Sequence, residues 1–202
     1  MMELVLATKN RDKIREIRHL LRGLKVKILS IEDYPDLPEV HEDGETLRDN
    51  AIKKAVTIAA YTGKWALADD TGLAVAALDG APGVYSARFA GPGCKYIDNN
   101  KKLLRLLADL PKSKRRAQFE CVISLADPGG KVHSVTGVIN GYIGTEMKGQ
   151  HGFGYDPVFV VPEYGKTFAQ LGLKTKNQIS HRGKALEKIK KVIKKMIVSA
   201  RG

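Results

Sequence analysis

The chain begins with an apolar run, "ELVLAT" (3–8), and then carries Ile14, Ile17, Leu20 and Leu21 at helical spacing behind Asn10. This pattern predicts a buried strand followed by a helix that Asn10 caps, since an Asn side chain can accept from the first free amides. Gly23 is a natural stop, and "KVKILSI" (25–31) reads as a second strand. A polar loop with Pro35 and Pro38 comes next. A helix is then predicted from about Thr46 to Tyr61, with Leu47, Ile52, Ala55 and Ala59 inward and Gly63 ending it. "KWALAD" (64–69) is a third strand, and "IDNNKKLLRLLADL" (97–110) is a further helix.

The period changes after that. In "RRAQFECVISLAD" (115–127), Ala117, Phe119, Cys121, Ile123 and Leu125 alternate with mostly polar neighbours, which predicts a half-buried strand. "DPGGK" (127–131) is a strong turn, and "VHSVTGVINGYIG" (132–144) returns as the hairpin partner. "YDPVFVV" (155–161) and a C-terminal helix capped by Ser180 complete the pattern. No repeat, low-complexity tract or long linker interrupts it. The expectation is one domain over 1–202, of α/β class with a mixed sheet in two lobes, the second lobe including the hairpin at about 115–144.

Composition changes this picture little. The 202 residues are 43% apolar and 28% charged, as in ordinary soluble proteins. The apolar runs are too short to cross a bilayer, and "MMELVLATKN" lacks the basic and long apolar regions of a signal peptide. The two cysteines, Cys94 and Cys121, are not in metal-ligand spacing, which fits a reduced, cytoplasmic setting.

The net charge of +12 is more informative, because it points to an anionic partner. From Arg182 to Gly202, eight Lys and Arg against Glu187 account for +7 of it. Leu186, Ile189, Ile193 and Met196 give the same segment an apolar stripe. It reads as a docked helix with a solvated basic face. A nucleic-acid surface would interleave aromatics with the lysines, and this segment has none.

Candidate chemistry concentrates in a few stretches. "ALADDTGLAV" (66–75) sets two aspartates side by side in a strand. Strand side chains alternate, so both can face the same way only if the strand is irregular, and Gly72 predicts that it does not continue regularly. A carboxylate at a strand end lies where α/β folds place ligands, and hard oxygens suit Mg²⁺. Glu39, Glu42, Asp43 and Glu45 could add a ligand. Alternatively, one Asp caps a turn and the other is solvated. In "TKNRDK" (8–13), helix amides with a nearby lysine could hold an anion, although this is not a P-loop. "GAPGVYSARFAG" (80–91) and "HGFGYDPVF" (151–159) offer glycines for close approach and rings for stacking. "NQISHRGKAL" (177–186) puts His181 and Arg182 at a helix start, with Lys176 just upstream.

In this order and spacing the stretches 8–13, 68–75, 80–91, 152–157 and 180–186 resemble the inosine triphosphate pyrophosphatase family, the XTP/dITP diphosphatases. The resemblance spans essentially the whole chain. Thr71 stands where the family more often has Ser, and His41 where many relatives carry a second Glu. The resemblance implies an elongated mixed sheet flanked by helices, two lobes with an active-site cleft between them, and a homodimer. It implies hydrolysis of ITP, dITP or XTP to the monophosphate and pyrophosphate with Mg²⁺, and neither a membrane nor a specific nucleic acid as partner. Thr8, Lys9, Asn10, Arg11, Asp12 and Lys13 would hold the phosphates, with Lys53 as a further cation. Asp70 would ligate the metal and act as general base, with Asp69 adjacent and Glu42, or else Glu39, assisting. Thr71, Phe153, Gly154, Tyr155, Asp156, Lys176, His181 and Arg182 would contact the nucleotide. A related pyrophosphatase acting on pyrimidine nucleotides is the nearer rival, and the "SHR" at 180–182 argues against it.

Overall fold

Alternation along the first strand decides how the N-terminal part packs. The computed structural model describes residues 1–199, and in it β1 (Met2–Leu6) lies parallel to β2 (Val26–Ser30) and to β3 (Trp65–Val75). Leu4 and Leu6 of β1 and Leu67 of β3 pack with Ile17 and Leu21 of α1 (Arg11–Leu20). Val5, Ala66 and Ala68 face the other way, onto Ala55, Ile58 and Ala59 of α2 (Leu47–Thr62). Each face of the sheet therefore meets its own helix.

The helix ends follow from local chemistry. Asn10 Oδ1 accepts from the amides of Asp12 and Lys13, as the sequence predicts. Thr46 and Asp49 bond reciprocally at the start of α2, and Gly63 ends it at φ 64°, which only glycine adopts at little cost.

One expectation fails at β3. The strand does not end at Asp69 or turn irregular at Gly72 but runs on to Val75, because a short strand, β4 (Pro82–Gly83), supplies new antiparallel partners at Leu73 and Ala74. After α3 (Tyr96–Leu106) come β5 (Arg116–Ala126) and β6 (Val132–Ile143), followed by β7 (Phe159–Val161) and β8 (Lys166–Thr167). The side-chain pairs Gln118–Asn140 and Ser124–Ser134 match the predicted hairpin. Among the described residues the strand order is β2-β1-β3-β5-β6-β7-β8, with β4 beside β3, so the sheet is mixed. The last described elements are α4 (Leu173–Ile179), which has no counterpart in the predicted elements, and α5 (His181–Ser199).

The chain divides into two compact units. The first comprises Met1–Asp70, Cys121–Gly137 and the chain from Arg182 onward. Its cores add Cys121, Ile123 and Leu125 to the residues above, with Leu186, Ile189 and Ile193 of α5. The second comprises Thr71–Glu120 and Val138–His181. It is built on Leu73, Val75, Leu103 and an aromatic cluster in which Phe119 lies 4.7 Å from Phe159 and Phe159 lies 5.2 Å from Phe168. The hairpin therefore does not belong to the second unit alone: residues 121–137 pack with the first and its outer parts with the second.

No helix among the described residues is long and apolar enough to cross a membrane. Both cysteines are free thiols. Lys191, Lys194 and Lys195 of α5 are exposed, while Lys190 Nζ donates to the Leu20 carbonyl at 2.9 Å. Arg201, counted in the basic tract, lies outside the described residues.

Candidate active site

Because β3 stays regular, its two aspartates separate. Asp69 follows Leu67 onto the side of α1 and α5, and Asp70 follows Ala68 onto the side of α2. Their partners agree with that. Asp69 Oδ2 receives Lys13 Nζ at 3.0 Å and Arg182 NH2 at 3.1 Å, and Arg182 NH1 reaches Glu16 Oε2 at 2.7 Å. Asp69, Glu16 and Arg182 are all buried. Burial opposes ionisation of Asp69, but Lys13, Arg182 and Lys54 outweigh it and hold its carboxyl well below the usual range. Arg182 is thus tied to two carboxylates rather than presented as a surface donor.

Asp70 is the opposite case. It is 7% exposed, and its Oδ2 has no hydrogen-bond partner. Burial pushes its pKa above the ordinary value of 3.8, Lys54 draws it down, and Glu42 adds to the rise. Lys54 Nζ lies 3.5 Å from Asp70 Oδ1, 2.6 Å from Glu42 Oε1 and 2.8 Å from the Asp69 carbonyl oxygen.

Sequence reasoning named Lys53, whereas the lysine beside Asp70 is Lys54. Lys53 is exposed and pairs with Asp43 at 2.6 Å. One residue further along the helix turns the side chain by about 100°, so Lys54 points inward with Asn50 and Ala51. The signal was present, since Asn50 and Lys54 stand four apart on the same face as Ala51, Ala55 and Ile58. Asn50 also fixes the acidic loop, as Gly44 N–H donates to Asn50 Oδ1 at 2.8 Å. Of the four acids in that loop, Glu42 is the one turned to Lys54, while Glu39 and Glu45 are exposed.

The stretch 8–13 is only partly the anion cradle expected. The amides of Asp12 and Lys13 are occupied by the Asn10 side chain, and Asn10 N–H donates to Thr8 Oγ1 at 3.2 Å. Asp12 pairs with Arg15 at 2.7 Å, and Lys9 and Arg11 are exposed. The cation brought to the aspartates from this segment is Lys13.

In the second unit, Lys176 Nζ lies 2.6 Å from Asp156 Oδ2, with both side chains buried, and 4.8 Å from the centre of the Phe153 ring. Asp156 Oδ2 also accepts from Phe153 N–H at 2.8 Å. Asn100 Nδ2 donates to the Gly154 carbonyl at 2.9 Å, and Tyr155 OH to the Ser86 carbonyl at 2.9 Å. Tyr155, Asp156 and Asn100 are therefore struts of the 152–156 turn, and Phe153 is half-buried with its ring 6.0 Å from that of Tyr96. Gly152, at φ 79°, packs so closely on the Asp156 carboxylate that a side chain there would collide with it. His181 stacks on Phe119, with ring centres 4.5 Å apart and planes 12° from parallel. Thr71 is half-buried at the start of this unit.

The residues present fit a divalent cation. Asp70 Oδ2 is a buried oxygen without a partner, and Glu42 is drawn to the same ammonium as Asp70. No group of three or more His, Cys, Asp or Glu ligands occurs among the described residues, but Mg²⁺ takes one or two protein carboxylates and fills the rest with water and phosphate.

A mixed α/β protein with a poised carboxylate beside a buried lysine has the groups to take a hard cation and an anionic substrate. The Ham1 family model matches residues 4–192, and the chain belongs to the Ham1 family. It is 52% identical over 197 residues to a dITP/XTP pyrophosphatase of Desulforamulus reducens, covering 98% of each chain. It is 52% identical over 190 residues to a dITP/XTP pyrophosphatase of Geobacter sulfurreducens, covering 94% of this chain and 96% of that one. Among solved structures it is similar to a HAM1 protein from Coxiella burnetii, with a TM-score of 0.89, 42% identity and coverage of 96% and 100%. The Ham1 protein of Staphylococcus aureus matches with a TM-score of 0.86, 38% identity and coverage of 96% and 99%.

Proposed function

We propose that this protein hydrolyses deaminated purine nucleoside triphosphates, ITP, dITP and XTP, to the nucleoside monophosphate and pyrophosphate, as a Mg²⁺-dependent cytoplasmic homodimer. The observation that carries the reaction is Asp70. It is a buried carboxylate with a raised pKa and one oxygen free to take a proton, set against a lysine. The relatives that are dITP/XTP pyrophosphatases supply the substrate class.

In this reading Asp70 accepts the proton of the attacking water, a role its raised pKa favours. When bound by Asp70 and Glu42, Mg²⁺ supplies charge neutralisation for the polyphosphate. Lys13 and Lys54 bind phosphate oxygens, and Lys9 and Arg11 extend the positive charge at their exposed positions. Arg182 and Glu16 hold Asp69, which in turn aims Lys13. Phe153 stacks on the base, while Lys176 and His181 offer donors to a 6-oxo group that an adenine amino group cannot satisfy. Thr71 contributes a hydroxyl, and Gly154, Tyr155 and Asp156 shape the turn that carries Phe153.

The test is pyrophosphate release from ITP, dITP, XTP, ATP, GTP and TTP, with Mg²⁺ and with EDTA. The proposal expects turnover of the first three to exceed that of ATP by about 10²-fold, the scale set by an unpaired buried polar group, and GTP, which shares the 6-oxo group, to be rejected at its 2-amino group. It also expects EDTA to abolish turnover. Equal turnover of ATP and ITP would remove the substrate assignment.

A further inference from the structure

The ammonium of Lys54 is surrounded as a metal ion would be. Glu42 Oε1, the Asp69 carbonyl oxygen and Asp70 Oδ1 lie 2.6, 2.8 and 3.5 Å from Nζ. The lysine side chain is only 11% exposed. The remaining Asp70 oxygen is buried without a hydrogen-bond partner. Carboxylate and carbonyl oxygens are also what a hard divalent cation selects.

We propose that Lys54 is a stand-in for the divalent cation. In the metal-free protein its ammonium keeps Glu42 and Asp70 together and compensates their charge. When the cation takes these carboxylates, Lys54 gives them up and is released to the incoming polyphosphate. The inference rests on the assignment of the cation to Asp70 and Glu42.

The physical reason is electrostatic. The buried Asp70 carboxylate and the half-exposed Glu42 carboxylate repel one another without a cation, and Asp70 is costly to desolvate, so the empty site needs a resident positive charge. An ammonium and a divalent ion sharing the same oxygens would in turn repel each other at short range. Cation binding to the free protein must therefore displace Lys54, which weakens it. A polyphosphate gives Lys54 a new partner and removes that penalty. Metal and nucleotide should consequently bind with positive coupling, each tightening the other.

The exchange is tested with Mn²⁺ alone, titrated calorimetrically into nucleotide-free wild type and the Lys54→Met variant. The variant should bind Mn²⁺ about tenfold or more tightly, the size of a coupling of one or two buried charge contacts. Its melting temperature should begin to rise at Mg²⁺ concentrations about tenfold lower than those that raise that of the wild type. Equal or weaker Mn²⁺ binding by Lys54→Met overturns the proposal. If the variant does not fold, the wild type decides the matter. With ¹⁵N-labelled lysine, the buried Lys54 ammonium resonance should shift as Mg²⁺ alone is added to saturation, and an unmoved resonance overturns the exchange. Asp70→Asn separates the two levels. If this variant binds Mn²⁺ as well as wild type does, the cation assignment has failed, not merely the exchange.

Discussion

Asp69 and Asp70 are consecutive in the chain, yet they face opposite sides of β3 and meet different cations. Asp69 is held by Lys13 at 3.0 Å and by Arg182 at 3.1 Å, while Asp70 lies 3.5 Å from Lys54 with one oxygen unpartnered. One carboxylate is fixed and the other is poised.

Replacing the poised one should cost activity and not stability. Asp70→Asn is expected to lower kcat by at least ~10²-fold, the scale of general-base loss. Because the folded pKa of Asp70 is raised, its ionisation works against the fold, and any stability it lends is lost as pH rises through that value. The melting temperature of the Asn variant at neutral pH should therefore equal or exceed that of wild type. Steady-state kinetics and thermal unfolding on the same preparation check both halves.

The fixed carboxylate should behave in the reverse manner. Asp69→Asn leaves Lys13 and Arg182 short of a partner and should destabilise the protein by about 3 kcal/mol, the lower range for breaking a buried pair. The pKa of Asp69 is depressed in the fold, so its stabilisation is complete above the unfolded value of 3.8 and disappears as pH falls below it. The gap in melting temperature between wild type and variant should stay constant from about pH 8 to pH 5 and narrow below about pH 4. A gap that changes through neutrality would point to another group.

The adjacent lysines of α2 provide a paired control. Lys53→Gln removes an exposed ion pair to Asp43 and should alter kcat/KM by no more than about fivefold. Lys54→Gln removes the ammonium beside Asp70 and should lower it by ~10²-fold or more, the range for losing one electrostatic partner of the reacting groups. Similar losses for both variants would contradict the inward placement of Lys54.

Gly152→Ala should disturb the turn that carries Phe153. The new methyl group would meet the Asp156 carboxylate at a backbone angle of φ 79°, a strain of about 1–3 kcal/mol. The expected result is a raised KM for the nucleotide with a smaller change in kcat. An unchanged KM would show that the 152–156 turn does not bear on the base.

Much of the framework is legible from local pattern. Asn10, Thr46 and Gly63 mark helix ends through bonds to residues within a few positions, and the hairpin of β5 and β6 follows from two strand-like runs around "DPGG" (127–130). Two features depend on distant partners and leave no such mark. The continuation of β3 past Gly72 depends on Pro82 and Gly83. The placement of Asp69 depends on Arg182, 113 residues away. The choice between Lys53 and Lys54 turns on helix phase, which the small residues around them define only weakly. The short strands β4 and β8, of two residues each, fall below any periodic signal.

Each unit is assembled from separated stretches of chain, and this bears on how the protein is made. The core holding Leu4 and Leu6 also needs Ile123 and Leu125, and then Leu186, Ile189 and Ile193. A ribosome delivers those residues in that order, so the first strand emerges long before the helix that covers it. No early segment can close that core during synthesis, and the growing chain keeps apolar strands uncovered until α5 has been made. Production of this protein should therefore respond to chaperone supply and translation speed more than its size alone would suggest.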